Sequence, residues 1–241
     1  MPRSIAVFGT GPGLGQAVAR RYAQEGYDIV LVARRRASLD AFAQNLTDGG
    51  AITHVITADL ADTDAITALA EQIRATVGEL DALYYAPTPR DGFVPAVNLA
   101  PQRAQDFMPL AVYSLLALVQ QFLPHMLEQG DGAILTAQGA SALHGLPNLS
   151  GPGPAQAAQR NYLQSLHAEV ADKGVYVGML YIGAIIEKSA FHTQTEKAKH
   201  AGPSRSWGPT VDPDLLADLL WNMHRTRSSA ETTYPEQRPS R

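Results

Sequence analysis

The stretch Ser4–Gly15, "SIAVFGTGPGLG", decides how the rest of the chain reads. An apolar run ends in a glycine cluster, and the cluster opens at once into "LGQAVARRYAQEG". There Leu14, Val18 and Tyr22 recur at helical spacing and Gly26 supplies a stop. The pattern predicts a strand, a glycine turn and a helix start. Glycine suits such a turn because the backbone takes positive φ and another group can approach with no Cβ in the way. The free N–H groups at the helix N-terminus then attract phosphate. The glycines are Gly9, Gly13 and Gly15, with an extra Gly11. This is not G-x-G-x-x-G, since Leu14 stands where that pattern has its last glycine.

Composition bounds what can surround this turn. The 241 residues suit one α/β domain with a real core. A net charge of −4 with both signs interspersed argues against nucleic acid as a partner. With no cysteine there is no disulfide, thiolate nucleophile or cysteine-held metal. The chain enters a strand within a few residues, which leaves no room for a signal peptide. The longest apolar run, Phe107–Met126, is interrupted by Pro109, Gln120, Gln121 and Pro124, so it reads as a buried helix and not a membrane span. A cytoplasmic protein with no membrane partner is the expectation.

Working outward, "YDIVLVARRR" is an apolar strand ending in Arg34, Arg35 and Arg36. In a dinucleotide fold an acidic residue at this point binds a ribose 2′-hydroxyl, whereas arginine accommodates a 2′-phosphate, so NADP(H) is favoured over NAD(H). Arg36 reads better as a solvated helix start. A helix near Ala37–Leu46 leads to the strand "AITHVITADL", which closes in Asp59-Leu60, and a helix over about 63–77 carries Ile66, Leu69, Ala70 and Ile73 on one face. The strand "LDALYY" follows, then a Pro-rich loop over 90–101. A long helix, Pro101–Gln129, is apolar on nearly all sides and so buried on two faces. After it come the strand "GAILTAQ", a helix with Ala157-Ala158, and the strand "GVYVGMLYIG". A polar segment over 187–208 precedes the helix "DPDLLADLLWNMH", with Asp212 as N-cap and Pro213 at its first position. "ETTYP" is a last strand, and the tail after it reads as disordered. Strands alternating with amphipathic helices predict a doubly wound Rossmann-type parallel sheet of about seven strands with helices on both faces, in a single domain spanning 1–241.

The glycine loop resembles the Gly-x-x-x-Gly-x-Gly turn of the short-chain dehydrogenase/reductase superfamily, and the likeness runs from Ser4 to about Met223. The resemblance implies a nucleotide held by Gly9, Thr10, Gly11, Gly13, Leu14 and Gly15, with Arg34 and Arg35 at its phosphate and the Asp59-Leu60 pair against adenine. Ala86 and Pro87 would lie beside the nicotinamide ribose, and Ile182, Gly183 and Ile185 beside the nicotinamide. It also implies a mobile substrate-covering segment at 187–208. The long helix would pack on a symmetry mate, giving a homodimer or homotetramer. The family's fourth strand ends in Asn-Asn-Ala-Gly, whereas here Tyr85, Ala86, Pro87 and Thr88 follow one another.

Carried over residue by residue, the family's catalytic Asn, Ser, Tyr and Lys fall on Ala111, Gly139, Pro152 and Gln156. Reducing a carbonyl by hydride requires a proton at the developing alkoxide. The family uses a tyrosine beside an ammonium and a serine that holds the substrate oxygen. Proline carries no side-chain proton, glycine no hydroxyl and glutamine no charge. No Tyr-x-x-x-Lys exists anywhere in the chain. Tyr85 and His144 are the candidate substitute acids, each set against a plainer reading: a space-filling ring and an exposed loop histidine. Ser141 and Ser150 read as loop and N-cap residues, and Arg160 as either a cation near the cofactor or a solvated helix arginine. His192 and His200 invite a metal, but no site spacing accompanies them, so no metal is expected. Three functions stay open: an atypical NADP(H) oxidoreductase acting on a small molecule, a nucleotide-binding sensor or partner subunit without turnover, and a non-redox enzyme such as an isomerase or cyclase in the same cleft.

Overall fold

The computed structural model describes residues 2–89, 92–200 and 208–236, with the side chains of 198–200 left out. Seven parallel strands form one sheet: β1 (Ser4–Phe8), β2 (Asp28–Ala33), β3 (Thr53–Thr57), β4 (Ala82–Tyr85), β5 (Gly132–Gly139), β6 (Val175–Ile182) and a last edge strand Glu231–Tyr234. Two short strands, β7 (Ile185–Ile186) and β8 (Thr210–Val211), pair separately, which makes the edge strand β9. The sheet order is β3-β2-β1-β4-β5-β6-β9, so the chain reverses direction across the sheet between β1 and β4. In a parallel sheet that switch point opens a crevice at the carboxyl ends of the strands.

The helices are α1 (Leu14–Gln24), α2 (Arg36–Asp48), α3 (Ile66–Val77), α4 (Pro101–Asp106), α5 (Ser114–Gln129), α6 (Gly153–Val170), α7 (Ala190–His200) and α8 (Pro213–Thr226). Side chains alternate faces along each strand. Ala6, Phe8, Leu83 and Tyr85 therefore join the core under α3, α5 and α6, while Ile5, Val7, Ala82 and Tyr84 join the one under α1, α2 and α8. Both faces are covered, which is why β6 reads VYVGMLYI and is buried throughout. Where α1 meets α8, the Tyr22 hydroxyl lies 2.8 Å from His224 Nδ1, inside an aromatic cluster with Tyr27, Trp221 and Tyr176.

Several element boundaries differ from those the sequence predicts. The helix over 101–129 is not continuous. Pro109 has no N–H to give the turn before it, and Pro109–Tyr113 widens into a π turn closed by the Ser114 N–H on the Pro109 carbonyl. Pro101–Gln129 is still the one stretch among the described residues long and apolar enough to cross a membrane, yet it lies on the sheet, with Leu115, Leu118, Val119, Phe122 and Met126 buried in the core. Ser150 is not an N-cap: α6 begins three residues later, and the Ser150 backbone pairs with Val94 on both sides. Asp212 does cap α8, its Oδ1 accepting the Asp214 N–H at 2.9 Å. The polar segment after β6 is helical over Ala190–His200, and the β7–β8 pair ties its two ends together. Residues 201–207 of that segment, residues 90–91 of the preceding loop, and the tail expected to be disordered beyond 236 lie outside the described residues.

Candidate functional site

The glycine turn is built by contacts that no side chain would permit. Gly9 (φ 100°) passes so close to the start of the loop after β4 that a Cβ on it would stand 2.9 Å from Pro87 Cα, and a Cβ on Gly15 would stand 2.3 Å from the Gly9 carbonyl oxygen. Gly13 (φ 96°) precedes α1, and among the described residues no side chain caps that helix. The Gln16 N–H donates to the Gly11 carbonyl at 3.2 Å and the Ala17 N–H to that of Gly13, while a helix start of this kind leaves its first N–H groups available to an anion. Thr10 is structural: its buried hydroxyl donates to the Val7 carbonyl at 2.7 Å and accepts from the Val32 N–H, fastening the turn to β1 and β2. Leu14 is buried in the α1 core, whereas Gly11 closes a tight turn onto the Gly9 carbonyl. Across the turn lies the segment after β7, with the Glu187 carbonyl 3.2 Å from where a Gly13 Cβ would be.

At the end of β2, Arg34 and Arg35 are exposed and have no ion-pair partner among the described residues. Arg36 is instead the first residue of α2 and pairs with Asp40 at 2.8 Å, the solvated helix start expected of it. The Asp59 carboxylate accepts the Ala61 N–H at 3.1 Å, and Leu60 is buried beside it. Gly183 donates its N–H to Tyr234 at 2.7 Å, Ile185 donates to Pro209, and Ile182 and Ile185 are both buried. These residues stand at or just after the carboxyl ends of β2, β3 and β6.

Beside the glycine turn lies a cavity of about 40 Å³, walled by Tyr85, Ala86, Pro87, Ala111, Pro152 and Gln156, together with Gln138 and Gln159. Its construction depends on the π turn. Two carbonyls of that turn take side-chain donors: Leu110 accepts the Tyr85 hydroxyl at 2.5 Å, and Ala111 accepts Gln159 Nε2. Tyr85 is therefore a buried, hydrogen-bonded wall, and burial pushes its phenol far above the ordinary tyrosine range. Opposite it, Ser141 Oγ donates to Gln156 Oε1 at 2.7 Å. A Cβ on Gly139 would stand 3.2 Å from that hydroxyl and 3.7 Å from Gln156 Oε1, so Ser141 fills the place a side chain at 139 would take.

Two sequence candidates are not brought here. His144 is exposed on the turn after β5 and is not among the cavity-lining residues. Arg160 is not among the cavity-lining residues: half-buried, it forks onto Glu231 at 2.9 Å through both Nε and Nη2, and its guanidinium holds that carboxylate below the usual range. His192 accepts from the Lys188 N–H within its own segment, and among the described residues no three His, Asp or Glu side chains converge as a metal site. Gln138 and Gln159 are the residues that sequence reasoning missed. The signal for Gln138 was legible as the one amide in the otherwise small and apolar strand "GAILTAQG".

Fold and site together define a doubly wound α/β protein with its crevice at the switch point of the sheet. The chain belongs to the short chain dehydrogenase family, whose pattern matches residues 3–199. Among curated relatives, a fatty acyl-CoA reductase from Acinetobacter baylyi is 26% identical over 217 residues, 89% of this chain and 70% of that protein. A 3-oxoacyl-acyl-carrier-protein reductase from Staphylococcus aureus is 25% identical over 188 residues, 77% of this chain and 76% of that one. Among solved structures, L-sorbose reductase from Gluconobacter frateurii, complexed with NADPH and L-sorbose, superposes with a TM-score of 0.84 at 23% identity, covering 97% of this chain and 94% of that one. An alcohol dehydrogenase from Thermococcus sibiricus, complexed with 5-hydroxy-NADP, gives 0.81 at 19% identity and covers 99% of each chain.

Proposed function

We propose that the chain binds NADP(H) along the carboxyl edge of the sheet and acts as an oxidoreductase on a small molecule seated in the cavity, without the family's tyrosine–lysine acid. The observation that carries this reading is the shared wall: Pro87, which Gly9 nearly touches, also lines the cavity. A phosphate end and a reacting end are thus joined in one crevice. The uncapped start of α1 and the glycine turn suit a pyrophosphate, and the unpaired Arg34 and Arg35 suit a 2′-phosphate. Bound there, NADP(H) supplies hydride transfer.

The departure from the family mechanism is part of the same proposal. Ala111, Pro152 and Gln156 line one cavity, and the missing side chain of Gly139 would project between Ser141 and Gln156. That convergence supports placing the four on the family's catalytic positions. Among the described residues the lining offers no acid that titrates near neutrality, since Tyr85 is its only ionisable member there. The proton then comes from water or from the substrate, and an activated alkene needs less acid help than a ketone. If this is right, NADPH consumption with a productive acceptor varies little with pH between about pH 6 and pH 9, whereas a sigmoid of tenfold or more would reveal a titrating acid and contradict it.

The same acid-poor lining favours a second reading, a nucleotide-binding sensor or partner subunit without turnover. Tight NADPH binding combined with no consumption across carbonyl and activated-alkene acceptors would select it. We also infer self-association through the outer face of α5, where Tyr113 is half exposed beside the partly exposed Leu116 and Leu123.

A further inference from the structure

Gln138 is only 6% exposed, yet neither Oε1 nor Nε2 has a hydrogen-bond partner among the described residues. Burying an amide with both ends unpaired is costly, and such groups in folded proteins are ordinarily bonded to protein, water or ligand. This one lies at the end of β5 and lines the cavity. Its two glutamine neighbours are each already engaged, Gln156 Oε1 by Ser141 and Gln159 Nε2 on the Ala111 carbonyl. Gln138 thus presents an unused donor and an unused acceptor side by side.

We propose that this cavity recognises an uncharged amide edge, that of a lactam, imide or carboxamide, which Gln138 reads through a paired donor and acceptor. The proposal rests on the reading of the cavity as the substrate end of the crevice. An amide edge presents N–H and C=O in the same plane, so it can satisfy both ends of Gln138 at once, as a ketone or alkene cannot. Charge decides against a carboxylate or phosphate. Among the described residues no Asp, Glu, Lys, Arg or His lines the cavity, so an ion held by those residues would be desolvated with no counter-charge. Size agrees as well: about 40 Å³ is room for roughly three water-sized positions, the three heavy atoms of an amide head, with the rest of the ligand outside. Pro87, Pro89, Phe107 and Pro152 supply flat apolar walls for such a head.

The test uses the full chain labelled with ¹⁵N and two probes of one shape, 2-pyrrolidinone and cyclopentanone. The side-chain NH₂ resonances of Gln138 are assigned by their loss in Gln138→Met. The lactam is expected to shift that pair saturably and to bind at least about tenfold more tightly than the ketone, because the ketone leaves a buried donor unpaired. In Gln138→Met the lactam-to-ketone ratio should fall to about 1, and the variant should melt no lower than the parent, since it removes an unpaired buried amide. Equal binding of the two probes, or an NH₂ pair unmoved by the lactam, would mean that water alone serves Gln138 and would overturn the proposal. The wild-type ratio decides this even if the variant folds poorly. NADPH titrated separately keeps the two readings apart: NADPH binding without lactam preference sinks the amide pocket alone, and lactam preference without NADPH binding sinks the nucleotide reading alone.

Discussion

At the scale of single residues, the two candidate acids part company: His144 is outside the cavity lining, whereas Tyr85 belongs to it. Tyr85 sits at the mouth of β4, as expected, but its hydroxyl is spent on the Leu110 carbonyl. Tyr85→Phe is therefore expected to cost about 1 kcal/mol through the lost hydrogen bond, lowering Tm by roughly 2–4 °C, while leaving turnover within about twofold. A loss of 10²-fold or more in kcat would make Tyr85 an acid after all. The sequence shows which residue types stand at 111, 139, 152 and 156, but not that Ser141 folds back into the place beside Gly139. Nor does it show that Gln138 is buried beside a cavity, because a lone glutamine at a strand end is equally a surface residue until the neighbouring helix is placed.

At the scale of elements, period and punctuation made most of the structure legible. Helical spacing located α1 and α3, and Asp212-Pro213 marked the start of α8. The π turn was not legible, because an apolar run with an internal proline reads the same whether the helix kinks, breaks or widens. The contact between α1 and α8 carries its own prediction. Burial lowers the pKa of His224 to about 4, so the folded ring stays neutral where an unfolded one takes a proton near its usual 6.5. The stability this contributes is fully present above about pH 6.5 and is lost as pH falls toward 4, roughly 3 kcal/mol in all. Denaturant titrations across that range should show the loss, and His224→Gln should flatten it. On the outer side of α5, sedimentation should find a dimer or tetramer that Tyr113→Glu weakens. A wild-type monomer at micromolar concentration would remove the self-association inferred for that face.

At the scale of the whole molecule, the doubly wound sheet follows from alternating apolar strands and amphipathic helices, and its switch point fixes where any ligand of this fold must sit. What the fold leaves open is whether the inherited crevice still takes a nucleotide, since function lives in the site. The glycine turn, the uncapped α1 and the unpaired Arg34 and Arg35 all bear on that one question. The most direct measurement is a titration of the purified chain with NADPH and NADH, followed by nicotinamide fluorescence, with Arg34→Glu alongside. The account predicts saturable binding that favours NADPH by about tenfold or more, with the preference lost in Arg34→Glu. Binding of neither nucleotide, or equal binding of both that Arg34→Glu leaves unchanged, would contradict it.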